Sequence, residues 1–347
     1  MAMSAPEQAS QPQIQAHSQQ DFGKLAEPYR RELKVHCYRM LGSLHEADDA
    51  LQDTYLRAWR SFDSFDNRGP FRAWLYRIAT NACLDMLASR KHALRLLPDQ
   101  RGPFAKAVQM PDEPPPADVA WLEPFPDSDL EGIADEAPNP EARYSLREAV
   151  QLAFVAAIQE LPPRQRAALL LSDVLGWSAV ETANLLGGTA ASINSALQRA
   201  RETLAKRYPA GRPLTFPRPS PAQQDLLSRY LTAWEGHDLN GFVALLQEDA
   251  TFTMPPWPQW YAGRDAIRSF FELAWKTCGG LRMVPIAANG QPGFAVYERS
   301  SESGFWAAHS LHVLALHENG ISTMTLFVPP TGPQLFDAFK LPGTLQV

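Results

Sequence analysis

The chain has 347 residues, 45% of them hydrophobic, with 32 Lys or Arg against 38 Asp or Glu and a formal net charge of −6. That length calls for two or three domains rather than one core, and the negative balance excludes a uniformly basic coat, so any affinity for nucleic acid must be local. Cys37, Cys83 and Cys278 are far apart, odd in number and without metal-ligand spacing, and no run of about 18 apolar residues could span a bilayer; this indicates a reduced, cytoplasmic protein with no metal, no cofactor and no membrane contact.

Residues 1–21 are polar, lack the charged and apolar regions of a signal peptide, and read as a disordered tail. Three helices are expected over 22–92. The first, 22–41, carries Leu25, Tyr29, Leu33, His36, Cys37, Met40 and Leu41, and ends at Gly42. The second, 45–62, buries Leu51, Tyr55, Ala58, Trp59 and Phe62 and turns Asp49, Asp53, Leu56 and Arg60 outward, with Gln52 at the border. An outward leucine between acids is odd for a solvated face and natural for a docking face. The third, 70–90, is expected to point Phe71, Trp74, Leu75, Ile78 and Ala82 inward, with Arg72, Tyr76, Arg77, Thr80, Cys83, Leu84 and Leu87 on the other side. Interleaved rings and cations suit single-stranded DNA, whose unpaired bases stack for about 1–3 kcal/mol each. Packing on a neighbouring helix is the alternative for Tyr76 and Leu84.

From Asp99 to Arg143 there are eleven Asp or Glu against three Lys or Arg, with many prolines. Residues 93–143 are therefore expected to form a linker without a core, because so little apolar area does not offset the entropy of ordering. Residues 144–208 hold a helix-turn-helix. Pro162 and Pro163 separate two helices, Gly176 ends the second, and Ser178 with Glu181 forms a capping box. Gly187 and Gly188 make the turn into a last helix from about Ala190 to Arg207. Ile193, Leu197, Ala200 and Leu204 form its apolar stripe, with Ala191, Ser195, Gln198, Arg199, Glu202 and Lys206 opposite. Thr189, Ala191, Ser192, Ser195, Gln198 and Arg199 thus present small, amide and cationic groups where a recognition helix meets base edges.

A Pro-rich linker, 209–222, precedes a region, 223–347, of different character. Helix patterns come first (LLSRYLTAWEGHD, LNGFVALLQED, GRDAIRSFFELAWK), then strand patterns (LRMVPIAAN, GFAVYERS, GFWAAHSLHVLALHENG, ISTMTLFVPP), with Glu318, Asn319 and Gly320 in the last turn. This order indicates an α+β domain with a curved antiparallel sheet.

The strings EADDALQDTYLRAWRSFDSF, FRAWLYRIATNACLDMLASRK and LPPRQRAALLLSDVLGWSAVETANLLGGTAASINSALQRARETL resemble the sigma-70 family, and within it the extracytoplasmic-function group, which keeps only sigma regions 2 and 4. The resemblance covers 22–92 and 144–208 and implies two all-α sigma domains, one a helical bundle and one a helix-turn-helix. It implies core RNA polymerase and promoter DNA as partners. Asp49, Gln52 and Asp53, with Leu56 beside them, would dock on core polymerase; Asn67, Arg68, Phe71, Trp74, Arg77 and Asn81 would melt and read the −10 element; the helix-turn-helix would read the −35 element. The acidic linker would be either a passive tether or a strand threading the polymerase cleft, with Trp121 and Phe125 as anchors.

The C-terminal order AW..HDLNGFVALLQEDATFTMPPWPQWYAGRDAIRSFF followed by strands resembles the SnoaL-like group, which implies a cone-shaped α+β domain around an apolar pocket. Phe252, Met254, Trp257, Trp260, Tyr261, Trp306 and His309, with Phe294 and Phe327, are the expected lining, with room for a small apolar ligand. Some members of that group abstract a proton beside a carbonyl, which needs a base in an apolar pocket. His309 and Asp238 are the candidates; alternation puts His309 with Leu311 and Val313 on one strand face and His312 on the other. Without a carboxylate–histidine pair in view, no catalytic residue is assigned. The expectation is a sigma factor tuned by its own C-terminal domain, against a bifunctional cyclase or isomerase and a simple helix-turn-helix repressor.

Overall fold

The computed structural model of the protein describes residues 19–65, 70–89, 94–108, 110–111, 114–131, 133, 144, 148–207, 219–300, 304–317 and 319–346. The N-terminal bundle contains α1 (Gln19–Ala26), α2 (Arg30–Leu41), α3 (Leu44–Ser61) and α4 (Phe71–Ser89). The single helix expected over 22–41 is interrupted by a 3-10 turn at Glu27–Tyr29, where Pro28 has no N–H to donate to the helical ladder. Residues Gln19–Asp21, expected in the tail, open α1, and 1–18 lie outside the described residues. Gly42 ends α2 at φ 72, its N–H donating to Tyr38 O. A Cβ there would lie 3.0 Å from the Leu122 side chain, so glycine serves both the turn and the close approach.

The second helical unit holds α5 (Leu152–Gln159), α6 (Pro163–Leu169), continued by a π turn at Leu170–Val174, then α7 (Ala179–Leu186) and α8 (Ala190–Arg207). The capping box forms as expected: Ser178 Oγ accepts from Glu181 N at 3.2 Å, and Glu181 Oε2 accepts from Ser178 N at 2.8 Å.

The C-terminal domain runs α9 (Pro221–Glu235), α10 (Leu239–Val243), β1 (Leu246–Thr253), β2 (Trp260–Ala262), α11 (Arg264–Ala274), β3 (Leu281–Ala288), β4 (Gln291–Arg299), β5 (Trp306–His317), β6 (Gly320–Phe327), α12 (Thr331–Gln334) and β7 (Thr344–Leu345). Tyr208, most of the Pro-rich linker (209–218) and Glu318 of the last turn lie outside the described residues. The stretch LNGFVALLQED is helical only as far as Val243; Leu246 opens β1. The alternation of Ala250 and Phe252 with outward Thr251 suits a strand, and Thr251 and Thr253 hydrogen-bond Thr323 and Thr325 across to β6 at 3.2 Å each. Because β1 pairs β6 in parallel, the sheet, ordered β2-β1-β6-β5-β4-β3 with β7 on β5, is mixed rather than an antiparallel meander alone. The helices α9, α10 and α11 cover its concave face around a core of Tyr230, Trp234, Phe242, Phe252, Phe271 and Met324.

The two helical units pack directly on each other, α2 against α5 and α6, and α4 against α6 and α7. The centre of this interface is Arg166, 1% exposed, whose guanidinium donates to Met40 O, to Gln159 Oε1 and O, and to Leu161 O. Gln159 Nε2 in turn donates to Arg39 O at 3.0 Å, and Arg39 Nε donates to Ala149 O at 3.0 Å. One cation thus neutralises carbonyls from both units.

The linker departs from the expectation of a coreless tether. Leu96, Leu97, Trp121, Leu122 and Phe125 are buried, and Glu123 accepts from Leu44 N at 2.7 Å at the start of α3. Arg95 joins Glu46 at 3.0 Å and donates to Trp121 O. Composition hid this because these few apolar side chains need no core of their own. They dock on one that the bundle already provides.

Arg166→Met removes the charge-assisted donors from carbonyls that stay buried, which should cost about 3 kcal/mol. The urea midpoint of the variant, measured by circular dichroism, is expected to fall accordingly; an unchanged midpoint would show that the interface does not depend on Arg166.

Candidate functional site

Three helix faces, one buried junction and one cavity are the candidate sites. On α3, Asp49 and Gln52 are exposed and Leu56 is 48% exposed, so an apolar side chain stands in solvent between acids. Asp53 is half-buried and pairs with Arg57 at 2.8 Å, and Arg57 reaches on to Asp85 at 2.6 Å. This face is open in the structure.

On α4 the expected orientation holds in part: Leu75 and Ala82 are buried and Arg77 is exposed, but the burial extends to the side expected outward, as the packing alternative for Tyr76 allows. Tyr76, Thr80, Cys83 and Leu87 are buried, whereas Phe71, Trp74 and Ile78 are only partly so. Two neighbours cause this: Trp177 of the second unit lies edge-on to Tyr76 at 5.7 Å, and within the bundle His36 of α2 contacts both Tyr76 and Thr80. Arg72 is held by Glu32 through a bidentate ion pair. Phe71 and Trp74 stack within an aromatic cluster with Phe62 and Phe65, and Arg77 and Asn81 are exposed next to them. Asn67 and Arg68 lie outside the described residues.

On α8, Ala191, Ser195, Gln198 and Arg199 are exposed along one face. Thr189 and Ser192 are exposed too, but their hydroxyls form the helix cap: Thr189 Oγ1 accepts from Ser192 N, and Ser192 Oγ accepts from Thr189 N, both at 3.1 Å. The helix is fixed on its scaffold by Arg201, which grips the buried Asp173 at 2.6 and 2.9 Å.

The buried junction went unnoticed in the sequence. Asn289 and Gly290 form the two-residue turn between β3 and β4, at φ 56 and 68, the left-handed pair that an Asn-Gly hairpin supplies. Asn289 is fully buried. Its N–H donates to Phe125 O and its Oδ1 accepts from Phe125 N, both at 2.8 Å. Its Nδ2 donates to Tyr38 OH at 2.9 Å and to Val150 O at 2.7 Å. One side chain therefore ties the C-terminal sheet to the linker and to both helical units. Next to it, Gly290 N donates to Asp127 Oδ1 and Leu152 N donates to Gln291 Oε1. The Asn-Gly dipeptide between two strand patterns signals the hairpin; nothing local signals that its tip is buried.

Within the C-terminal domain a cavity of about 320 Å³ opens between sheet and helices. Phe252, Met254, Trp257 and His309 line it as expected, while Trp260, Tyr261 and Trp306 do not. Trp260 instead donates its indole N–H to Gly102 O at 2.8 Å. Tyr261 is buried behind the wall against Phe252 and Phe270, and Trp306 lies where β5 meets β7. Phe294 lines a separate crevice and Phe327 packs in the other core. Asp238 is exposed and caps α10, accepting from Gly241 N at 2.9 Å, so it is not a pocket base.

His309 and His312 reach the same cavity, against strict alternation, because β5 bulges. Tyr297 pairs Ala308 while Val296 pairs Ser310, leaving His309 as the extra residue. The bulge also produces the carboxylate–histidine pair that the sequence hid, with His309 Nε2 3.8 Å from Glu298 Oε2. Burial lowers the pKa of His309 against the opposing pull of Glu298, and burial, aided by His309, holds His312 well below the usual histidine range.

Family models match this chain as Sigma-70 region 2 over residues 25–93, Sigma-70, region 4 over 151–204 and SnoaL-like domain over 227–320. The ECF RNA polymerase sigma factor SigG of Mycobacterium tuberculosis is 40% identical over 94% of this chain and 85% of its own length. SigJ, an ECF RNA polymerase sigma factor of the same organism, is 29% identical over 65% of this chain and 62% of its own. A crystal structure of SigJ from Mycobacterium tuberculosis superposes with a TM-score of 0.59 at 19% identity, covering 92% of this chain and 99% of that one. Among the described residues no helix is long and apolar enough to cross a membrane.

Burial pushes the pKa of His36 down to about 3, with repulsion from Arg39 and Arg72 adding to it. An unfolded histidine takes up its proton near pH 6.5, so the folded chain binds fewer protons between these values. His36 therefore contributes fully above about pH 6.5 and progressively less as the pH falls, at about 1.4 kcal/mol per pH unit. Unfolding by urea at pH 7 and pH 5 should differ by about 2 kcal/mol from this residue, and His36→Gln should flatten that slope. An identical slope in the variant would contradict this.

Proposed function

Because the chain belongs to the extracytoplasmic-function group of the sigma-70 family, and so binds core RNA polymerase and directs promoter-specific transcription, we propose that its C-terminal domain is an internal brake that holds the two sigma domains closed. Two observations support this: α4 contacts α6 and α7, and Asn289 joins Phe125 of the linker to Tyr38 of the first helical unit and Val150 of the second. The −10 and −35 elements are separated by about 25 base pairs, roughly 85 Å of duplex at about 3.4 Å per step. Helices in contact lie about 8–10 Å apart, so in the closed chain α4 and α8 stand only two helix layers from each other. They cannot meet both elements at once. Initiation requires the units to part.

In this reading the roles divide by exposure. Asp49, Gln52, Asp53 and Leu56 engage core polymerase, and their open face lets docking precede opening. Ala191, Ser195, Gln198 and Arg199 read the −35 element, while Thr189 and Ser192 set the start of the recognition helix. Phe71, Trp74, Arg77 and Asn81, joined by Asn67 and Arg68, handle the −10 strand. Separation releases the Tyr76 side of α4 from Trp177. Transcription places the site of action in the cytoplasm, and the C-terminal cavity serves as a binding site that biases the brake.

Asn289→Asp is the most direct test, since the carboxylate keeps the left-handed tolerance of Asn but has no N–H for Tyr38 OH and Val150 O. Tyr38 already donates its hydroxyl proton to Glu123 O, so the new oxygen meets only acceptors there. A loss of about 1–2 kcal/mol would change the closed-to-open ratio by roughly 5–30-fold. Run-off transcription at limiting core polymerase should rise several-fold in Asn289→Asp, with the fold intact by circular dichroism. Equal or lower output from a folded variant would refute the brake.

A further inference from the structure

The C-terminal cavity joins an aromatic interior to one polar wall. Trp234, Phe252, Trp257, Phe271 and Trp275 supply flat apolar surface. On the wall a hydrogen-bonded series runs inward: His309 Nδ1 to Ser310 Oγ at 3.2 Å, Ser310 Oγ to His312 Nε2 at 3.2 Å, and His312 Nδ1 to Tyr230 OH at 3.1 Å. This series fixes the His309 ring from behind and leaves its Nε2 facing Glu298.

The pair at the head of the series is incomplete. At 3.8 Å, His309 Nε2 and Glu298 Oε2 are too far apart for a hydrogen bond. A hydroxyl oxygen placed off that line could sit about 2.8 Å from both, donating to the carboxylate and pairing with the imidazole. Glu298 Oε1 already accepts from Gly279 N at 2.9 Å, which aims Oε2 at the gap. The half-buried His309 and the buried His312 are both held below the usual histidine range, so among the described residues that line the cavity the charge is the carboxylate of Glu298. A carboxylate or phosphate in the gap would meet like charge at close range in a half-buried site, where solvent screens it only in part.

The mouth of the cavity belongs to another domain. Met110 and Pro111, from the segment between the two sigma domains, line it directly. Just upstream, Ala105 N donates to Trp260 O at 2.8 Å and Gly102 O accepts from the Trp260 indole, with Phe104 edge-on to that ring at 5.9 Å. Ala105 and Val108 pack on the cone's core. Farther along, the same linker carries Phe125 to its seat on Asn289.

We propose that the cavity is a receptor site for an uncharged planar hydroxyaromatic molecule, held by its hydroxyl between Glu298 and His309, and that the interdomain linker forms its outer wall. An occupant touches the same linker that the Asn289 junction holds, so occupancy is transmitted to the closed arrangement. This transmission rests on the brake proposed above; the binding itself does not.

The test uses the full-length protein with 2-naphthol and, as the charged isostere, 2-naphthoate, followed by calorimetry and tryptophan fluorescence at neutral pH. Saturable binding of 2-naphthol is expected, with 2-naphthoate weaker by about tenfold or more, a difference of about 1.4 kcal/mol. Glu298→Gln, at a half-exposed position that tolerates the change, should narrow that ratio by strengthening 2-naphthoate. Hydrogen exchange at Ala105 and Val108 should slow on saturation, and Met110→Asp, at an exposed side chain, should weaken 2-naphthol. No saturable 2-naphthol binding would overturn the site, and equal affinity for the two probes would overturn the selection by Glu298. Binding that ignores Met110→Asp and leaves linker exchange unchanged would overturn the shared wall. Binding that behaves as expected but leaves run-off transcription untouched would retain the site and remove only the brake's response to it.

Discussion

One buried residue, Asn289, holds the C-terminal domain to both helical units at once. Asn289 satisfies both backbone groups of Phe125, the hydroxyl of Tyr38 and the carbonyl of Val150, groups that belong to the linker and the two helical units. Each of these polar atoms is away from water, and an unmet one costs about 1–3 kcal/mol. The arrangement is therefore all-or-none: the hairpin tip either fills the junction or leaves several partners exposed together. Such bistability is what a switch between closed and promoter-bound forms requires.

Arg166 plays the complementary part. It closes the interface between the helical units without help from the C-terminal domain, by collecting carbonyls from α2 and from the α5–α6 corner. The sigma halves thus have an intrinsic preference for contact, and the Asn289 hairpin adds to it. Because a charged side chain desolvated among carbonyls contributes modestly in net terms but is costly to strand, this interface is specific rather than strong. It suits a contact that must be exchanged for polymerase and DNA.

How much of this was legible in the sequence follows from the range of the forces involved. The helix-turn-helix was readable because its signals are local: Ser178 and Glu181 cap within one turn, and the stripe of Ile193, Leu197, Ala200 and Leu204 follows the helical period. The outward Leu56 was readable for the same reason. The α4 orientation is only partly legible because both sides of that helix carry apolar groups: Leu75 and Ala82 are buried as the period predicts, while Tyr76 is covered by Trp177, about a hundred positions along the chain. The two-residue period identifies His309 as a cavity residue but separates it from His312, because a bulge in β5 breaks that period. Trp260 and Trp306 are aromatic residues of the right domain that face the linker and the β7 edge instead. The linker was read as coreless by composition, which averages over the apolar side chains that dock. The Asn289 junction is the least legible feature, because a hairpin tip is ordinarily solvent-exposed and its burial is created by three segments distant in sequence.

The two sigma domains are in contact in the free chain, and under the proposed brake they are apart in the initiating complex. Spin labels at Asp63→Cys and Glu202→Cys, in a Cys278→Ser background that leaves the buried Cys37 and Cys83 unreactive, report that separation by pulsed electron resonance. A single short distance is expected in the free protein, replaced by one longer by tens of ångströms when core polymerase and promoter DNA are added. A long distance already present in the free protein, or a short one retained in a complex that makes transcript, would contradict the closed-to-open account.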